Sequence, residues 1–178
     1  LKVALLAEEK AGMIGLLALL TQAEVPFVIT CSHDVIQLCE LLKIEHMYDN
    51  WLHTPKIIGR IKKECDWLLC IHGRVIVPDT LLKALPCVNI HPGWDGANPA
   101  ARWLNRKSES DCFGVKAHEM TEEIDKGDIY RNKLFALTAT TVKEVYNEIY
   151  PYYVTLVIEM CKMYNGEAVS QHVWKTKD

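Results

Sequence analysis

The segment Cys87-Val88-Asn89-Ile90-His91-Pro92-Gly93 is an apolar strand that runs straight into a Gly/Pro-rich loop. Asn89 and His91 stand two apart, so a strand turns both side chains to the same side. A carboxamide and an imidazole thus sit together at the carboxyl end of a strand. Working back toward the N-terminus, residues 67–71 and 1–7 are continuous apolar runs, and residues 25–31 form a β-branched run with Pro26 near its start. Such runs suit strands buried on both faces.

Helical patterns fill the gaps between these strands. Residues 9–22 carry Met13, Leu16, Leu17 and Leu20 at helical spacing. Ser32 is the expected cap of a helix that runs to about residue 43. Pro55 takes the first position of a helix over 54–64, and a short helix is predicted over 78–84. Beyond residue 93, a helical segment is predicted over 99–104 and strands over 113–120 and 129–137, joined by the turn Asp125-Lys126-Gly127. The long helical stretch from 140 to about 165 contains Pro151, which is expected to kink or break it. The alternation predicts an α/β fold, a mostly parallel, Rossmann-like open sheet with helices on both faces. In such sheets ligands sit beyond the carboxyl ends of the strands.

The 178 residues fit one domain, taken as 1–178, with 49% apolar and 24% charged residues. A net charge of −3 gives no general attraction for DNA, RNA or an acidic membrane. There is no apolar run long enough to span a bilayer. The seven cysteines show no Cys-x-x-Cys pair and are read as reduced thiols of a cytoplasmic protein.

A second cluster follows the strand predicted over 113–120: Gly114-Val115-Lys116-Ala117-His118-Glu119-Met120, then Glu123-Ile124-Asp125-Lys126-Gly127-Asp128-Ile129. Asp125 is the turn residue best placed to face a pocket. An amide, an imidazole and a carboxylate suit acyl transfer to an amine. Asn89 and a protonated His91 would donate hydrogen bonds to the oxyanion. Asp125 would accept the amine's proton, directly or through water, and hold His91 charged. Taken singly, each residue has a plainer reading: Asn as a turn or cap, His as a structural side chain, Asp-Lys-Gly-Asp as a hairpin turn. A metal held by His91, Asp125 and His118 lacks any supporting ligand spacing, so no metal is expected.

These motifs resemble those of the folate-dependent formyltransferases. That family includes glycinamide ribonucleotide transformylase, methionyl-tRNA formyltransferase and the sugar N-formyltransferases. The shared pattern is Asn-x-His-Pro-Gly at Asn89 to Gly93, Gly-x-x-Pro at Gly96 to Pro99, Gly-x-x-x-His-x-Met at Gly114 to Met120, and Ile-Asp-x-Gly-Asp-Ile at Ile124 to Ile129. Four motifs in one order are far more specific than any alone. The resemblance implies 10-formyltetrahydrofolate as donor and Asn89, His91 and Asp125 as the catalytic set, with His118 in support. It implies a folate pocket walled by Arg74, Val75, Ile76 and Ile124. The pterin is expected among apolar side chains there, bonded to loop backbone.

The acceptor is read from departures. The loop after His91 is about four residues shorter than in many members of the family, and Gly93 in place of Ser resembles a branch of sugar N-formyltransferases. Glycinamide ribonucleotide needs a phosphate cradle, but the loop after the first strand carries Glu8 and Glu9. Methionyl-tRNA enzymes add a C-terminal RNA-holding domain, which is not expected here. A nucleotide-linked amino sugar is therefore the expected small-molecule amine partner, with Trp94, Arg102 and Trp103 at its mouth or, equally, as packing residues. A non-catalytic binder of folate or nucleotide sugar and a hydrolase of the formyl donor are the other readings. The apolar late helix leaves a homodimer open.

Overall fold

All five residues of β1 (Val3–Ala7) are fully buried. Such a strand needs cover on both faces, and its side chains alternate between two separate cores. Val3, Leu5 and Ala7 enter one core, and Ala4 and Leu6 enter the other. The same division runs through β4 (Trp67–Ile71), with Trp67, Leu69 and Ile71 on the first side and Leu68 and Cys70 on the second. The computed structural model describes residues 1–93, 98–107 and 112–167.

The remaining strands are β2 (Phe27–Ile29), β3 (Glu45–Met47), β5 (Cys87–Pro92), β6 (Cys112–Glu119) and β7 (Ile129–Ala136). They form one sheet of order β3-β2-β1-β4-β5-β6-β7. Pairing is parallel from β3 to β5 and antiparallel across β5–β6 and β6–β7. The predicted α/β class, a mostly parallel sheet, is the class observed. The short edge strand β3 and the 3-10 turn Asp49–His53 that follows it had no sequence signal, because β3 is three residues long and buries only Met47.

The helices are α1 (Glu9–Leu20), α2 (His33–Leu42), α3 (Pro55–Glu64), α4 (Asp79–Leu82), α5 (Pro99–Arg106) and α6 (Val142–Tyr164). Ser32 stands at the start of α2, but its side chain makes no capping bond. The amide of Ser32 is instead bonded to Thr30 Oγ1 at 3.0 Å. Pro151 does not break α6, which continues for 23 residues. Both Pro151 and Asn147, whose carbonyl loses its helical partner, face solvent, where water can take the bond. The opposite face of α6 buries Val145, Ile149, Tyr153, Leu156, Val157 and Met160. A capping box at Thr141 and Glu144 fixes its start.

This face of α6 and α1 covers one side of the sheet. On the other side α3 and the one-turn α4 cover less, and the carboxyl ends of β4 and β5 are left open there. Val88 and Ile90 of β5 enter the first core, whereas Cys87 enters the second. By alternation, Asn89 and His91 point to that second, partly uncovered side.

The segment from Met120 to Asp128 crosses the opening. It is tied back by Glu119 N–H to the Asp128 carbonyl at 2.9 Å. Gly127 is required by this close approach: a Cβ there would lie 2.1 Å from the Glu119 carbonyl oxygen. Gly127→Ala is therefore expected to destabilise the protein by about 1–3 kcal/mol and to displace Asp125. Thermal melting read beside a Gly59→Ala control, where a Cβ meets nothing within 4 Å, checks this. Equal melting temperatures would show that the turn adapts.

Candidate active site

The antiparallel register of β5 and β6 pairs Asn89 with His118 and His91 with Lys116. Paired residues share a side of the sheet, so four polar side chains project together. Asp125 is brought to them from the crossing segment. Its backbone has φ +60°, the left-handed region that costs a non-glycine residue roughly 1–2 kcal/mol. That conformation turns its carboxylate inward.

Asp125 is the hub. Its Oδ2 lies 3.4 Å from His91 Nε2, and its Oδ1 lies 3.5 Å from His118 Nε2. Asn89 Nδ2 donates to Oδ1 over a long 3.4 Å. The contacts are loose individually, but they converge on one carboxylate that is 15% exposed. His118, ahead of the other favourable groups, holds the Asp125 carboxyl below its ordinary range despite burial. Asp125 is therefore ionised throughout the neutral range.

His118 is 1% exposed, and its Nδ1 lies 2.7 Å from the Glu119 carbonyl oxygen. A carbonyl only accepts, so Nδ1 carries a hydrogen and fixes the ring. The ring so held sets its Nε2 3.5 Å from Asp125 Oδ1, a close contact without a hydrogen bond. His91 differs from expectation. Burial lowers its proton affinity by more than Asp125 raises it, and Lys116 and His118 lower it further. The imidazole is neutral near neutral pH, so the expected standing charge on His91 is corrected.

The cluster forms one end of a cavity of about 320 Å³. Arg74, Val75, Ile76 and Ile124, the four residues expected to wall a ligand pocket, all line it, with Cys70, Val77, Leu82 and Met120 at its apolar base. Ile76 and Ile124 are 67% and 68% exposed. Arg74 reaches out of the cavity and pairs with Glu9 at the start of α1. No cysteine is joined in a disulfide among the described residues, and burial pushes the thiols of Cys70 and Cys87 up to about 12, which keeps both protonated.

Arg102 is exposed on α5, while Trp103 is placed in the core and not at a mouth. Its ring lies 6.1 Å from Phe113, edge-on, because the apolar face of α5, with Ala100 and Trp103, turns toward the sheet. Trp94 lies outside the described residues. Among those residues, no group of three His, Cys, Asp or Glu is arranged to hold a metal ion, and no helix is long and apolar enough to cross a membrane.

Two groups near the site were not foreseen. Lys116 is 3% exposed and donates to the Asp125 carbonyl at 3.2 Å. His72, at the end of β4 with φ +57°, lies 2.6 Å (Nε2) from the Tyr153 hydroxyl and 3.8 Å (Nδ1) from Glu9. The available signal for Lys116 was its two-residue spacing from His118 in an otherwise apolar strand. Nothing in the sequence around His72 marks it out.

No protein-family model matches the chain. A methionyl-tRNA formyltransferase of Sulfurimonas denitrificans is 33% identical over 85 residues, 46% of this chain and 28% of that protein. The chain therefore spans well under half the length of the curated relatives it matches. A phosphoribosylglycinamide formyltransferase from Streptococcus pneumoniae superposes with a TM-score of 0.77 at 19% identity, covering 92% of this chain and 98% of that one. The chain has the formyltransferase fold. A sugar N-formyltransferase from a Shewanella species shares the fold at a TM-score of 0.75 and 18% identity, with 100% of this chain and 75% of that one covered. The formyltransferase resemblance read from the four motifs is thus carried by relatives in sequence and by neighbours in structure.

Burial of the neutral His72 ring lowers its pKa from 6.5 to about 4. Between those values the unfolded chain binds the proton and the folded chain does not. His72 therefore stabilises the fold above about pH 6.5, and that contribution is lost as the pH falls toward 4. Melting temperatures measured across this range should fall with pH in the wild type and fall less steeply in His72→Gln. Parallel curves would show that His72 is not the responsible group.

Proposed function

We propose that this chain transfers a formyl group from 10-formyltetrahydrofolate to the primary amine of a small acceptor, most suitably a nucleotide-linked amino sugar. The observation that carries the reading is the convergence of Asn89, His91 and His118 on the Asp125 carboxylate at one end of the cavity. The exposed Ile76 and Ile124 at the cavity give a flat pterin apolar surface to cover. A cavity of about 320 Å³ is within the range of small-ligand sites.

The chemistry follows from the protonation states. The acceptor nitrogen attacks the formyl carbon, and the carbonyl oxygen becomes an oxyanion that the Asn89 amide stabilises by a hydrogen bond. Asp125 is too weak a base to take the amine's proton, because its carboxyl is held low. Neutral His91 takes it instead. The imidazolium formed is stabilised by Asp125 on one side and by the oxyanion on the other. When the intermediate collapses, the bond from carbon to N10 of the folate breaks. N10 receives the proton from His91, which gives tetrahydrofolate and the formamide. No covalent bond to the protein forms.

The amino-sugar acceptor is supported by the acidic start of α1, where Glu8 is 2% exposed and its carboxylate accepts from Cys31 N–H at 2.7 Å. Glu9 beside it pairs with Arg74. A phosphate monoester would meet the exposed Glu9 carboxylate there, while that of Glu8 is turned into the fold. The methionyl-tRNA enzymes among its relatives favour a second reading, in which the amine is that of an aminoacyl-tRNA.

The test is the release of tetrahydrofolate from 10-formyltetrahydrofolate in the presence of uridine- and thymidine-linked amino sugars, glycinamide ribonucleotide, methionyl-tRNA or no acceptor. Release dependent on an amino sugar is expected. Release without acceptor would make the protein a hydrolase, and none with any acceptor would leave a binder. Asn89→Ala should lower turnover roughly 10²–10³-fold with donor affinity nearly kept. Normal turnover at saturating donor would remove Asn89 from oxyanion stabilisation.

A further inference from the structure

The interior of β6 contains a lysine where its neighbours Val115 and Ala117 are fully buried apolar residues. Lys116 itself is 3% exposed, and an ammonium group so deeply placed is costly without partners. Its Nζ donates to the backbone carbonyl of Asp125 at 3.2 Å. That carbonyl belongs to the residue held at φ +60°, so the bond fixes the turn that aims the Asp125 carboxylate. In the β5–β6 register Lys116 also stands directly opposite His91.

We propose that Lys116 is a positioning residue of this site, which locks the Asp125 turn through its carbonyl and sets a fixed buried cation directly opposite His91. The inference rests on the formyl-transfer reading for its effect on rate, but not for its effect on His91. The groups that set the His91 proton affinity come from each element around it. Asp125 on the crossing segment raises it, and Lys116 and His118 on β6 lower it. At the end of β4, His72 is itself disfavoured as a cation by His91.

The sign is opposite for the two charged neighbours. Asp125 stabilises the imidazolium that forms in the reaction, while Lys116 opposes protonation before it. Burial already disfavours the charged ring, and Lys116 adds to that effect while Asp125 opposes it. A cation at position 116 acts without occupying the cavity, because it approaches from the strand and bonds the backbone of Asp125, leaving the carboxylate to the two histidines and Asn89.

The experiment uses Lys116→Met and Lys116→Gln, the second keeping a hydrogen-bond donor of similar reach without charge. Histidine ring signals of the full chain are followed by NMR against pH, with His91 assigned from a His91→Gln spectrum. Both variants should move the His91 midpoint upward. Lys116→Met should also lower kcat roughly 10- to 100-fold through misplacement of Asp125, with the donor KM changed little, and Lys116→Gln should recover part of that loss. An unmoved His91 midpoint in a folded Lys116→Gln protein overturns the proposal, and so does a Lys116→Met kcat equal to wild type. The NMR titration needs no substrate. A wild type that transfers no formyl group would therefore sink the functional reading, while the shift in His91 would still decide the role of Lys116.

Discussion

The antiparallel pairing of β6 against β5 is the constraint on which the site depends. It sets His118 beside Asn89 and Lys116 beside His91, on the one side of the sheet that α3 and α4 leave partly open. Slipping this register by one residue would turn all of β6 over, because strand side chains alternate. His118 and Lys116 would then enter the core side occupied by Val88 and Ile90, and Asp125 would lose both of its β6 partners. The long α6 guards the register indirectly. It packs Tyr152 flat on Phe135 of the edge strand β7 at 3.7 Å and stacks Tyr164 on Trp67 of the central strand β4 at 4.5 Å.

The same arrangement explains the electrostatics. Asp125 is ionised because His118 favours its charged form, and His91 is neutral because burial and Lys116 outweigh the pull of Asp125. A carboxylate and a neutral imidazole in contact form a pair that can accept one proton and hold it. The amide of Asn89 adds a hydrogen-bond donor with no protonation state to manage. A formyl group passing from one nitrogen to another asks for a place for the oxyanion and a temporary place for one proton. The geometry offers both.

Much of this was legible in the residues. Continuous apolar runs read as buried strands because β1 and β4 are covered on both faces, and the two-residue spacing of Asn89 and His91 read as one side of a strand. The failures have local causes. Pro151 breaks helices whose freed carbonyl is buried, but here that carbonyl faces water. Trp103 was open between a place at the mouth and a packing role, and the amphipathic α5 turns it into the core. The charge on His91 could not be read, since it depends on burial and on Lys116 opposite, a partner set by pairing register alone.

The central claim is that Asp125 supports proton acceptance by a neutral His91, and the pH dependence of the transfer rate in Asp125→Asn at saturating donor tests it most directly. Removing the carboxylate lowers the His91 proton affinity further. The account therefore predicts an acidic limb displaced to lower pH, together with a rate reduced by roughly 10²-fold or more. A profile that keeps both its height and its acidic limb would contradict it.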